Sequence, residues 1–209
     1  MMVADGIENV EQQARPVNVL LVVDDDVINR LGSVVRHLCV GMIDEAVLMT
    51  ILLKTDSRRS RDMLGPSRVF SLPDRHWYQR RYSADDVLDL IGIERPQVAH
   101  CMSSALARWV RGWVMEWRSS LVVQMTNLDD VSQFHGLNSC RRTVCLAATA
   151  GIEAAAVSRY PGLKDQIRVV PLGIPAQSEP ACFACPDRLP AVVISVPLTR
   201  HCGLDMVLK

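Results

Sequence analysis

The sequence predicts an α/β protein with a Rossmann-like, mostly parallel sheet and helices on both faces. Three observations carry that expectation. From residue 95 to residue 174, apolar runs of strand length alternate with stretches of helical spacing. Residues able to cap a helix stand where one gives way to the other. Residues 17–23 (VNVLLVV) are almost continuously apolar, which suits a strand buried on both faces.

Taken in order, residues 1–15 are polar and read as a tail, and Pro16 introduces the strand 17–23, which ends in Asp24, Asp25 and Asp26. Leu31, Val34, Val35 and Leu38 then fall at helical spacing, with Gly41 as the expected stop. Residues 46–53 form a second strand candidate, whose leucines and methionine would equally suit a buried helix. The Arg-rich residues 54–68 read as a surface loop, 69–72 as a short strand, and 73–82 as a polar connection anchored by Trp77 and Tyr78. Ser83 with Asp86 makes a capping box that opens a helix through Val87, Leu88, Leu90 and Ile91, ended by Gly92.

The strand 97–102 follows a proline, and Ser103 or Ser104 can cap the helix that carries Leu106, Trp109, Val110, Trp113, Val114 and Trp117. The rhythm repeats over 119–130 and 142–157 and closes on a strand from 167 to 174. Four prolines mark residues 175–190 as a linker, and 191–196 as a new strand. The expected organisation is a tail (1–15), one Rossmann-like domain (16–174), a linker (175–190) and the truncated start of a second domain (191–209).

Lys plus Arg and Asp plus Glu both number 23, so no long-range field favours nucleic acid. No segment has the roughly 20 apolar residues of a membrane span, and the start has no signal-peptide pattern, so the expected location is cytoplasmic. The seven cysteines read as small buried hydrophobes in a reducing compartment. Cys182 and Cys185, with His201 and Cys202, have poor spacing for tetrahedral zinc, so neither a metal nor another cofactor is expected.

Two other features have a plain and a sharp reading. His100, at a strand end, is either a hydrogen-bonded structural residue or a site imidazole. Trp109, Trp113 and Trp117 share a helical face that either packs on the sheet or, with Arg108, Arg111 and Arg118, docks a partner or lies on a membrane surface.

The run VLLVVDDDVINRL resembles the acidic pocket of response-regulator receivers, where carboxylates hold Mg²⁺. A receiver also needs an Asp ending its third strand and a Lys ending its fifth, and neither stands at a suitable place here.

A second resemblance covers more of the chain. RPQVAHCMSSALARW resembles the R-P-D-V-V-H-x-H-S unit of family-4 glycosyltransferases, and SLVVQMTNLDD and TVCLAAT are similar to their next two strands. IRVVPLGI is similar to their I-x-V-I-P-N-G-V, and VVISVPLTRHCGLDMVLK to the V-G-R-L-x-x-x-K-G-x-D opening of their second domain. All five stand in the family's order. The resemblance implies the acceptor-side half of a two-domain GT-B enzyme that transfers a sugar from a nucleotide-sugar to a sugar or lipid-linked acceptor. The isolated chain would be inactive, its catalytic residues are unassigned, and its membrane contact would be at most peripheral. A receiver-like phosphosignalling module and a non-catalytic binding domain of the same fold are the alternatives.

Ligands in open α/β sheets sit beyond the carboxyl ends of the strands, so the implied cleft is lined by residues 24–32, 100–103, 126–130 and Thr149. Within it, Arg30, Gly32, His100, Ser103, Thr126 and Asn127 are the expected substrate-binding residues. The chain departs from the family pattern at several of these places. It has one glycine, Gly32, where the family has a pair, Met102 for the second His of H-x-H, and Thr126 where a histidine often ends the strand. Pro197, Leu198 and Cys202 stand where Gly, Arg and Lys are expected, which removes both cations that would neutralise a diphosphate leaving group.

Overall fold

A computed structural model of the chain describes residues 16–55, 58–64, 68–72, 82–137 and 142–172. The expected tail, the linker and second-domain start, and the Cys182 to Cys185 pair lie outside these residues, as do Trp77 and Tyr78.

Among the described residues seven parallel strands form one sheet: β1 (Val17–Val23), β2 (Val47–Leu53), β3 (Val69–Ser71), β4 (Val98–Cys101), β5 (Ser120–Met125), β6 (Thr143–Ala147) and β7 (Ile167–Val169). Their spatial order is 3-2-1-4-5-6-7. The protein therefore has a Rossmann-like α/β fold. Chain growth moves outward from β1 through β2 and β3, then restarts at β4 on the other side of β1. Right-handed crossovers running in opposite directions put their helices on opposite faces. This places α1 (Asp25–Asp44) and α2 (Arg58–Leu64) on one face. On the other lie α3 (Ala84–Ile91), α4 (Ser104–Trp117), α5 (Leu128–Gln133) and α6 (Ala150–Arg159).

Central position explains composition. β1 is flanked by β2 and β4, and Leu20, Leu21, Val22 and Val23 are fully buried. Each such side chain contributes about 1.5–3 kcal/mol by leaving water. In β5 and β6 one parity is buried (Leu121, Val123, Met125, Thr143, Cys145, Ala147), while Val144 on the other parity is exposed. Cys39, Cys101 and Cys145 are buried, and burial pushes the Cys145 thiol up to about 12 and Cys101 higher still. They are inert core residues.

Helix ends follow local chemistry. Asp24, Ser83, Ser103, Asn127 and Thr149 each accept a backbone N–H from their own helix, and Ser83 with Asp86 completes the capping box. Gly92 closes α3 in the left-handed conformation (φ 57°).

Two expectations are corrected. Gly41 does not stop α1, which runs on to Asp44 and closes at Glu45, with Ala46 at φ 56° supplying the left-handed turn. The Arg-rich residues after Lys54 are not all loop, because Ser60 and Leu64 are buried where α2 packs on α1. Between its ends α1 has one irregular residue, Leu31 (φ −128°, ψ 17°). The tryptophans divide between their two readings. Trp113 and Trp117 are core, while Trp109 is only half-buried.

Candidate functional site

The outward growth of the sheet in two directions leaves a crevice where β1 and β4 diverge, beyond their carboxyl ends. A cavity of about 340 Å³ lies there, lined by Asp24, Asp26, Val27, Arg30, Ser103, Ala105, Asn127, Asp129, Asp130 and Gln133. These residues come from the amino ends of α1 and α4 and from α5 with its cap. The crossovers of a parallel sheet deliver all three helix starts to the same edge.

Asp130 organises the floor. It is buried (5% exposed), and one carboxylate oxygen accepts the Ser104 N–H at 3.2 Å. The other oxygen accepts the Thr126 N–H at 2.8 Å and the Thr126 hydroxyl at 3.1 Å. Its own N–H donates to Asn127 Oδ1 at 2.8 Å. One carboxylate thus ties the start of α4 to the turn after β5, at helix ends where a negative charge is favoured. Asn127 is held as a cap and Ser103 by its bond from Leu106 N–H at 3.2 Å.

The opposite wall is charged and more open. Asp24 caps α1 through Val27 N–H at 2.9 Å, and Arg30 reaches back one turn to Asp26, with Nη2 at 2.7 Å and Nε donating at 2.9 Å. Asp25 points elsewhere and accepts a hydrogen bond from the Ser60 hydroxyl of α2. Four carboxylates against one guanidinium make the crevice acidic. That charge opposes a diphosphate and suits a ligand rich in hydroxyl donors.

Of the residues expected from sequence, the fold brings Arg30, Ser103 and Asn127 to the crevice wall. Thr126 sits behind them, bonded to Asp130. Gly32 is buried in α1 just past the irregular Leu31 and does not line the crevice. His100 is buried within the sheet, in register with Leu21 of β1 and Val122 of β5. Burial lowers its pKa from the usual 6.5 to about 4, against a smaller opposing effect of a hydrogen bond with the Gln124 side chain, and its Nε2 has no partner. Sequence reasoning did not single out Asp130, although Asn127 followed three residues later by an acid is a capping signal that marks it.

A second cavity of about 1060 Å³ adjoins the first at Ala105, which lines both. It runs along the outer side of α4 past Arg108, Trp109 and Trp113, facing Lys54 and Thr55 after β2 and Tyr82 and Ser83 before α3.

No protein-family model matches the chain, and a search of curated proteins finds no match to it. Among the described residues no helix is long and apolar enough to cross a membrane. Nor do the described residues group three or more His, Cys, Asp or Glu side chains in a way that could hold a metal ion. The strand order 3-2-1-4-5-6-7 also differs from the 2-1-3-4-5 order of receiver domains. Because Asp25 is turned toward Ser60 and Asp26 toward Arg30, millimolar Mg²⁺ is expected to leave the melting temperature unchanged, in the parent and in Asp25→Asn alike. A Mg²⁺-dependent rise that Asp25→Asn removes would restore the phosphoacceptor reading.

Proposed function

We propose that residues 16–174 are the acceptor-binding half of a glycosyltransferase of the two-domain GT-B kind, in which a separate domain holds the nucleotide-sugar. The observation that carries this reading is the acidic, hydrogen-bonding crevice at the point where β1 and β4 diverge. Asp24, Asp26 and Asp129 offer acceptors to sugar hydroxyls, and Arg30, Asn127 and Gln133 offer donors. Its charge disfavours the donor's diphosphate, in keeping with a division of labour between acceptor and donor domains. The order of the five sequence segments from Arg95 onward supports the same reading. In this mechanism the crevice orients an acceptor hydroxyl for attack on a sugar carried by the other domain, and positioning is its contribution to rate.

The test is ligand-observed NMR on the purified chain, with a panel of neutral saccharides and a panel of nucleotide-sugars. Saturation transfer to at least one saccharide is expected, lost in Asn127→Ala, with no nucleotide-sugar binding in the micromolar range and no sugar transfer. Micromolar nucleotide-sugar binding to this chain overturns the proposal. Saccharide binding without turnover, even with a donor domain supplied, would make the chain a binding domain of the same fold instead.

A further inference from the structure

We infer that the groove along α4 is a second binding site, for a small phosphate ester whose organic part is flat and apolar. This inference goes beyond the acceptor reading and does not rest on it. Charge separates between the two adjoining cavities. Among the described lining residues the crevice carries four carboxylates and one cation, whereas the groove carries Lys54 and Arg108 beside Glu116, with the Arg111 guanidinium turned toward Gly136. Two cavities that meet at Ala105 thus select ligands of opposite charge.

The groove also has a rigid aromatic wall. Trp113 is buried and its indole Nε1 donates to the Tyr82 carbonyl at 2.8 Å, which fixes the ring against the segment leading into α3. Trp109 meets Trp113 edge-on, with centroids 5.1 Å apart at 70°, and remains half-exposed to the groove. A supported, half-exposed indole gives a flat apolar group a surface to stack on at little cost in side-chain entropy. Lys54, exposed at the end of β2, places Nζ 6.0 Å from the Trp109 ring centroid. The ammonium lies over the indole, so a phosphate bound by it sets the attached organic group close to the ring. Arg108 stands at the seam of the two cavities, where its Nη2 donates to Gln133 Oε1 at 3.2 Å. A phosphate adds charge and three acceptor oxygens that such cations bind in charge-assisted hydrogen bonds.

The experiment is titration of the full chain with phenyl phosphate, followed by tryptophan fluorescence, with inorganic phosphate and phenol as the halves of the ligand. Saturable quenching by phenyl phosphate is expected, with affinity roughly tenfold or more above either half and falling as salt is added. Lys54→Ala should weaken binding by roughly tenfold, and Trp109→Phe should remove most of the quenching signal. Lys54 is exposed and Trp109→Phe retains an aromatic ring, so circular dichroism and melting curves should match the parent. If the Trp109 variant is not folded, calorimetry on Lys54→Ala and Lys54→Glu decides. Absence of phenyl phosphate binding, or equal binding by the Lys54 variants, overturns the inference. Binding only to vesicles that contain phosphatidylglycerol, with none of the soluble ester, also overturns it and makes the groove a membrane contact.

Discussion

Asp130→Ala is expected to lower the stability of the domain by about 3 kcal/mol, which for a domain of this size is a fall of roughly 6–12 °C in melting temperature. The wild-type carboxylate receives three hydrogen bonds, two of them from the backbone N–H groups of Ser104 and Thr126. Ser104 is fully buried, so its N–H has no access to water when the acceptor is removed. A buried donor left unpaired costs about 1–3 kcal/mol. The same change frees the turn after β5 from the start of α4, so Asn127 and Ser103 no longer face the crevice in a fixed geometry. Asp130→Asn keeps one carbonyl acceptor and should lose roughly half as much. Thermal melts of the two variants beside the parent settle the matter. A fall under about 2 °C for Asp130→Ala would mean that the contacts around Asp130 contribute little to stability.

The sheet was legible because its central strands are buried on both faces, which leaves continuous apolar runs such as 17–23, and because caps such as Ser83, Ser103 and Thr149 announce their helices. Strand order was not legible, since it depends on where each crossover returns. α2 was missed for a related reason. Its sequence is rich in arginines, and the burial of Ser60 and Leu64 where α2 packs on α1 is a contact that no local pattern encodes. Gly41 misled because glycine at the end of an apolar period usually marks a stop, yet this position is an exposed interior turn with nothing within 4 Å of a Cβ placed there.

The site was half legible. The rule that ligands lie beyond strand ends selects Arg30, Ser103 and Asn127 without any knowledge of packing. It fails for His100, because a residue one position before the end of a strand still has a side chain on one face of the sheet. Register with Leu21 and Val122 puts the imidazole on a buried sheet face beside apolar neighbours, with Gln124 as its polar neighbour. The groove was beyond reach for another reason: Lys54 and Trp109 come from distant parts of the chain, brought together because β2 and α4 both end or begin at the same sheet edge.

Acid is expected to destabilise the domain through His100, by about 3 kcal/mol between neutral pH and pH 4. His100 is 8% exposed, and burial lowers its pKa from 6.5 in the unfolded chain to about 4 in the fold. Between those values the unfolded chain takes up a proton that the folded chain refuses. Stability from this group is therefore complete above about pH 6.5 and falls as the pH drops toward 4, below which both states are protonated. The gap of about 2.5 pH units at about 1.4 kcal/mol each sets the size of the loss. His100→Gln removes the titrating group while retaining an amide beside Gln124, so its stability should depend less on pH even if its absolute stability is lower. Urea unfolding of both proteins at about pH 7.5 and about pH 4.5 measures the difference in slope. A parent and variant that lose equal stability over that interval would show that His100 titrates normally in the fold, and hence that water reaches the imidazole.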